Sequence, residues 1–223
     1  MTVDFSKWKE APSFYAGDPL HLAKQEKIQK AIERNGLEAF LLTKSEAVRY
    51  ATDFYVKGYR PFMEPEYFTV IPKGKKPVVG HSSGSDNYRI RIKSDIEDHR
   101  KVSGIAKWGK EIVAIFKDYG ITSGRVGTDF LPFNVRDDIQ KELPQIDFVD
   151  ISEIWVELTV IKHPVEVEIL RGAVEIAEMG IAATIEAAKP GMREYELAAV
   201  GEYVMKMNGS EMTPFVTNIA SGY

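Results

Sequence analysis

The chain has 223 residues, 44% of them hydrophobic and 28% charged, with a net charge of −4 and no cysteine. This balance supports a packed core and argues against global disorder. It presents no basic excess for nucleic acid or an anionic membrane surface, and without cysteine there is no thiolate nucleophile, disulfide or Cys-type zinc site. No apolar run reaches the roughly 20 residues that span a bilayer, and the N-terminal residues lack an apolar stretch of signal-peptide length, in keeping with a cytoplasmic protein.

Residues 1–18 read as an extended lead-in containing Pro12 and Gly17. A helix is predicted from Leu20 to Asn35, where Asn35-Gly36 is a natural stop. Leu37 to Thr43 is predicted as a buried strand, and Ser45 as the cap of a short helix through Tyr50. Asp53 to Pro61 is aromatic-rich, contains Gly58, and reads as a loop. Tyr67 to Ile71 and Pro77 to Val79 are predicted strands joined by a turn at Pro72-Lys73-Gly74. Ile105, Trp108, Ile112 and Ile115/Phe116 recur at helical spacing up to Gly120. A strand at 125–128, a helix at 132–142 and a strand at 147–149 complete an alternation that argues for an α/β layer.

The composition changes near residue 150, placing one domain over 1–155 and the start of a second over 156–223. A connecting helix spans 150–160. Pro164 suits the first turn of a long helix, whose apolar stripe is Leu170, Ala173/Val174, Ala177, Ile181 and Ala188. A second helix runs from about Glu194 to Met207, and Thr213 to Ala220 is predicted as a strand. Two amphipathic helices and a lone strand cannot bury their own apolar faces, so this region is expected to need a sheet from a longer chain or from another copy.

The residues alone present no catalytic constellation. His21, His81, His99 and His163 form no paired-His motif, and surface or capping roles are expected for all four. Asp95, Glu97, Asp98 and His99 bring together metal-ligand types, but interleaving with Lys93, Arg100 and Lys101 favours a solvated segment. Gly120, Gly124 and Gly127 read as turn glycines rather than a phosphate loop. Ser82 to Ser85 offers hydroxyls without an evident base, and Glu166 and Glu168 suit the dipole at a helix start. Arg60 stands apart: flanked by Tyr59, Pro61 and Phe62, it suits recognition of a carboxylate by a guanidinium fork, while the residues alone favour an ordinary surface arginine stacked on a tyrosine.

Two stretches carry a resemblance. Val48 to Phe54 with Tyr59-Arg60-Pro61, and Ile161-Lys162-His163-Pro164-Val165-Glu166 through Leu170-Arg171 to Glu194-Tyr195-Glu196-Leu197, resemble the creatinase/prolidase/Xaa-Pro aminopeptidase family of pita-bread metallohydrolases. His163 stands where that pattern usually has Ser or Thr. The resemblance implies an α/β fold: a creatinase-type N-terminal domain, a mixed sheet flanked by helices, followed by the first helices and strand of a truncated α+β pita-bread domain. It implies a parent hydrolase acting on a C–N bond of an Xaa-Pro peptide or an amidine-like group. The parent would use a divalent metal pair (manganese, cobalt or zinc), although creatinase itself is metal-independent. All the metal ligands belong beyond the strand at 213–220, so this chain is expected to bind no metal and to be inactive alone. The resemblance also assigns Arg60, with Tyr59 beside it, to binding the carboxylate of a small substrate, in trans across a homodimer. A non-catalytic dimerisation or regulatory module is the alternative.

Overall fold

A computed structural model of the protein describes residues 19–54, 66–94, 96–210, 213 and 217–221. These fall into two compact units, one running to Ile161 and the other beginning at Lys162.

The first unit is built on a six-stranded mixed sheet in the order β4-β3-β2-β1-β5-β6. The strands are β1 (Ala39–Leu42), β2 (Tyr67–Pro72), β3 (Val78–His81), β4 (Asp98–Lys101), β5 (Gly124–Thr128) and β6 (Ile146–Asp150). β2 is antiparallel to both β1 and β3, whereas β1–β5, β5–β6 and β3–β4 are parallel. Parallel neighbours need crossovers. Helix α3 (Gly84–Lys93) supplies the one between β3 and β4, and α5 (Phe133–Glu142) the one between β5 and β6.

Both sheet faces are covered, which is why the central strands read as unbroken apolar runs. Phe40, Leu42, Tyr67, Ile71 and Val79 join one cluster with Ile28 and Ile32 of α1 (Pro19–Arg34), Val48 and Ala51 of α2 (Ser45–Thr52), Ile90 of α3 and Leu158 of α6 (Ser152–Val160). Ala39, Leu41, Phe68, Val70 and Val78 join the other with Trp108, Ile112 and Phe116 of α4 (Trp108–Asp118) and Val135 and Ile139 of α5. The result is the expected mixed sheet between two helical layers. α6 crosses residue 155 and remains packed in the first cluster through Leu158.

Two local features were not predicted, and a third differs from the prediction. The hydroxyl-rich stretch before residue 86 opens α3, because Ser83 caps it: Ser83 Oγ accepts the Asp86 N–H, and an Asp86 carboxylate oxygen accepts the Ser83 N–H. The acidic segment ending at Arg100 contains strand β4. Its Asp98 and Arg100 share a side of the strand and form a network with Glu111, Asp118 and Tyr119. Finally, Lys44, not Ser45, is the N-cap of α2, with no side-chain cap bond.

The second unit contains α7 (Pro164–Ala187) and α8 (Glu194–Met207). His163 caps α7: its Nδ1 accepts the Val165 N–H at 3.2 Å, and its own N–H goes to Glu166 at 2.8 Å. The two helices meet at paired glycines. A Cβ on Gly180 would stand 3.1 Å from the Gly201 carbonyl oxygen, and one on Gly201 would stand 2.6 Å from Thr184 Oγ1. Leu170, Val174, Ile181 and Ile185 remain exposed. Residues 213 and 217–221 carry no strand, in contrast to the prediction over 213–220; a strand needs a ladder partner, and none pairs with them among the described residues.

Candidate functional site

The sequence-predicted site residues, Tyr59 and Arg60, lie outside the described residues. The structure does define both ends of the segment that carries them, Asp53-Phe54 before it and Glu66-Tyr67 after it.

The leading end is held by a buried ionic cluster. α1 turns Ile28 and Ile32 into the core, and the same stripe one turn earlier presents Lys24 and His21. Both reach Asp53, which follows α2 in a left-handed conformation (φ 48°) that Asp tolerates better than most residues. Asp53 Oδ2 lies 2.6 Å from His21 Nδ1, and Oδ1 accepts from Lys24 Nζ at 2.9 Å. Less than a tenth of each side chain is exposed. Lys24 Nζ also sits 5.0 Å from the Tyr50 ring centroid, within cation–π range. Burial pushes the Asp53 carboxyl up, but the hydrogen bonds from His21 and Lys24 outweigh it and hold the group below its ordinary range. A carboxylate so engaged and enclosed anchors a backbone turn; it is not placed to take a proton from a substrate.

The trailing end meets the leading one. The Phe54 and Tyr67 rings pack edge to face with centroids 5.4 Å apart, so the two described ends of the segment lie side by side. Behind Tyr67 lies a second polar cluster. The Tyr67 hydroxyl is 3.4 Å from a carboxylate oxygen of fully buried Asp86, whose other oxygen accepts from Ser83. His81, also buried, lies 3.0 Å through Nδ1 from the Ser83 carbonyl and 3.4 Å through Nε2 from His99 Nδ1.

The remaining candidates sort by structure. Among the histidines only His163 is a plain cap; His21 and His81 are core groups, contrary to the expected surface or capping roles. Among the described residues near His99, Glu97 pairs with Lys76 at 2.7 Å and Asp98 with Arg100 at 3.0 Å; Asp95 lies outside the described residues. Ser83 is a helix cap. Gly120 takes the positive φ of a turn glycine, Gly124 takes one as the first residue of β5, and Gly127 lies within β5, where a Cβ would stand 2.5 Å from Ile151 Cγ2. The groups missed from sequence had one readable sign, polar side chains on an otherwise apolar stripe: His21 and Lys24 in register with Ile28, and His81 ending the apolar run of β3.

A separate cleft of about 300 Å³ opens beyond the carboxyl ends of β5 and β6, lined by residues including Phe130, Phe133, Arg136 and Asp150. Asp129 forms part of it and is committed to backbone: it accepts the N–H groups of Thr43, Lys44 and Phe130, and burial nonetheless pushes its carboxyl up. Among the described residues no group of three or more His, Cys, Asp or Glu is arranged to hold a metal ion, and no helix is long and apolar enough to cross a membrane.

Comparison with known proteins places this geometry. Residues 24–160 match the Creatinase/Prolidase N-terminal domain and residues 168–223 match Metallopeptidase family M24. An Xaa-Pro dipeptidase of Pyrococcus horikoshii is 28% identical over 207 residues, covering 89% of this chain and 52% of its own length. A creatinase of a Bacillus species is 22% identical over 186 residues, covering 80% of this chain and 43% of its own. Among solved structures, the X-Pro aminopeptidase of Thermotoga maritima superposes with a TM-score of 0.69 at 19% identity, over 84% of this chain and 50% of that one. The Pyrococcus horikoshii prolidase gives 0.64 at 23% identity, over 85% and 50%. These two structures share the fold, and the chain spans about half the length of the relatives it matches.

Proposed function

Because the chain belongs to the Creatinase/Prolidase N-terminal domain family, matched over residues 24–160, we propose that it forms the N-terminal portion of an Xaa-Pro dipeptidase-like hydrolase that cleaves a C–N bond. The carrying observation is the order of the two matches, with the metallopeptidase match at 168–223 following the N-terminal domain in one chain. Similarity to an Xaa-Pro dipeptidase runs over 89% of the chain and so bridges both. In this reading we keep the domain boundary at 155/156, although the first compact unit runs on to Ile161 and holds Leu158 of α6 in its core.

A metallopeptidase implies a divalent-metal pair, for which manganese, cobalt and zinc are the candidates. The described residues do not fit it, having no three-donor group. In this reading the chain contributes recognition instead. Tyr59 and Arg60 would bind the carboxylate of a small peptide from a segment whose two ends are pinned by Asp53 and by the Phe54–Tyr67 ring pair. The arginine would act within a homodimer, reaching the partner's substrate.

The test uses the complete enzyme, loaded with manganese or cobalt and assayed on Xaa-Pro dipeptides. Hydrolysis is expected, and Arg60→Ala should raise KM by about 10–100-fold, the value of a charge-assisted hydrogen bond, with a smaller change in kcat. Absence of Xaa-Pro hydrolysis would reject the activity and favour a non-catalytic dimerisation module. Normal hydrolysis with an unchanged KM in Arg60→Ala would reject only the role of Arg60.

A further inference from the structure

The His81–His99 contact lies at the β3–β4 edge of the sheet. These strands are parallel, with Val79 opposite His99 and His81 opposite Lys101. His81 and His99 are therefore diagonal neighbours on one face, held by two backbone ladders. His81 is buried and its Nδ1 lies 3.0 Å from the Ser83 carbonyl. A carbonyl only accepts, so Nδ1 carries the proton and Nε2 presents a lone pair toward His99.

The spacing of the two nitrogens is informative. Nε2 of His81 and Nδ1 of His99 stand 3.4 Å apart, at the long end for a hydrogen bond between two nitrogens. Two imidazole nitrogens about 2.0–2.1 Å from a tetrahedral zinc ion stand about 3.3–3.4 Å apart. Two adjacent positions of a square-planar ion bring them to about 2.8–2.9 Å. The observed gap matches the first. Moreover, a carbonyl bonded to the distal nitrogen is the usual partner that orients a zinc-bound imidazole, and Ser83 supplies one to His81.

We propose that His81 Nε2 and His99 Nδ1 form a two-histidine site for a tetrahedral divalent cation of the zinc type. Water completes the other two positions, and His99, which is only half-buried, gives the ion its way in. Uptake shifts the His99 proton from Nδ1 to Nε2, or releases it to solvent where the imidazole was charged. Of the charged groups around His81, Asp86 favours the ion and Lys101 opposes it, so the site is weaker than one with three or four protein ligands.

The experiment is calorimetric titration of the chelator-treated 223-residue chain with Zn2+, repeated on His99→Gln, together with Co2+ absorption and imidazole 15N shifts. The expected result is one Zn2+ equivalent whose affinity falls at least about tenfold in His99→Gln, tetrahedral-type Co2+ bands that vanish in that variant, and movement of the His81 Nε2 and His99 Nδ1 resonances. His99→Gln changes a side chain that is only half-buried, and an unchanged far-UV spectrum confirms its fold. His81→Gln is the second variant, and if it fails to fold, the 15N shifts of the unaltered chain still decide. No Zn2+ uptake, uptake indifferent to His99→Gln, or uptake that leaves both imidazoles unmoved overturns the proposal and leaves the pair as a hydrogen bond.

Discussion

Asp53 combines a backbone conformation that side chains seldom adopt with a carboxylate shared between an imidazole and an ammonium group. Removing one member of a buried ionic group costs about 3–5 kcal/mol, mainly because the charges left behind stay desolvated. Asp53→Ala is therefore expected to lower stability on that scale in urea denaturation, and Asp53→Asn to recover part of the loss, since the amide oxygen still accepts. An effect below about 1 kcal/mol for Asp53→Ala would show that the cluster is solvated. The sequence disclosed little of this. His21 and Lys24 stand among apolar residues of one helix, but their partner is 32 and 29 positions away, and no local periodicity reports a contact of that range. His81 was hidden for the same reason: its neighbour His99 belongs to another strand.

Elements with strong local signals were legible and those defined by neighbours were not. α1, α4, α5, α7 and α8 announce themselves by apolar stripes and by stops at Gly36, Gly120 and Gly209. The strands β1, β2 and β3 announce themselves as short apolar runs. β4 did not, because Asp98-His99-Arg100-Lys101 is a strand only through its pairing with β3 and the ionic links of Arg100 to α4. The strand expected at 213–220 is absent from its described residues, 213 and 217–220, which have suitable composition but pair with no strand among the described residues. Between β2 and β3 the packing is tight enough to test. Phe68 lies over Gly80, where an added Cβ would stand 2.1 Å from the ring, and Trp108 backs Phe68 with centroids 5.1 Å apart. Gly80→Ala is expected to cost about 3 kcal/mol, the upper range of overpacking. In a double-mutant cycle with Phe68→Leu the combined loss should be smaller than the sum. Additive losses would mean that the ring moves aside freely.

For the whole molecule, buried ionisable groups set the response to acid. His81 has its proton affinity lowered by burial, against the pull of the Ser83 carbonyl and Asp86 and with help from His99 and Lys101. The unfolded chain therefore takes up that proton first, and stability falls as pH drops below about 6.5, the ordinary imidazole value. Asp53, held low by His21 and Lys24 despite burial, contributes stability above the unfolded carboxylate range. That contribution is lost as pH falls through its own depressed value. Asp98, held low chiefly by Arg100, adds to the acid-side loss. Asp129 works the other way, since burial raises its value and protonation favours its folded form. Urea midpoints measured across pH should show two descending limbs on acidification, with His81→Asn flattening the one nearer neutrality. A flat profile between about pH 7 and 5 would rule out the assigned burial of His81.

The ring pair that joins residues 54 and 67 has a consequence for how such a molecule can change. Since the ends of the stretch between them already touch, closing a longer version adds little chain entropy; doubling its length would cost only about 0.6 kcal/mol. Insertions between them are expected to leave the strand registers unchanged, so this stretch can diversify while the sheet keeps its shape.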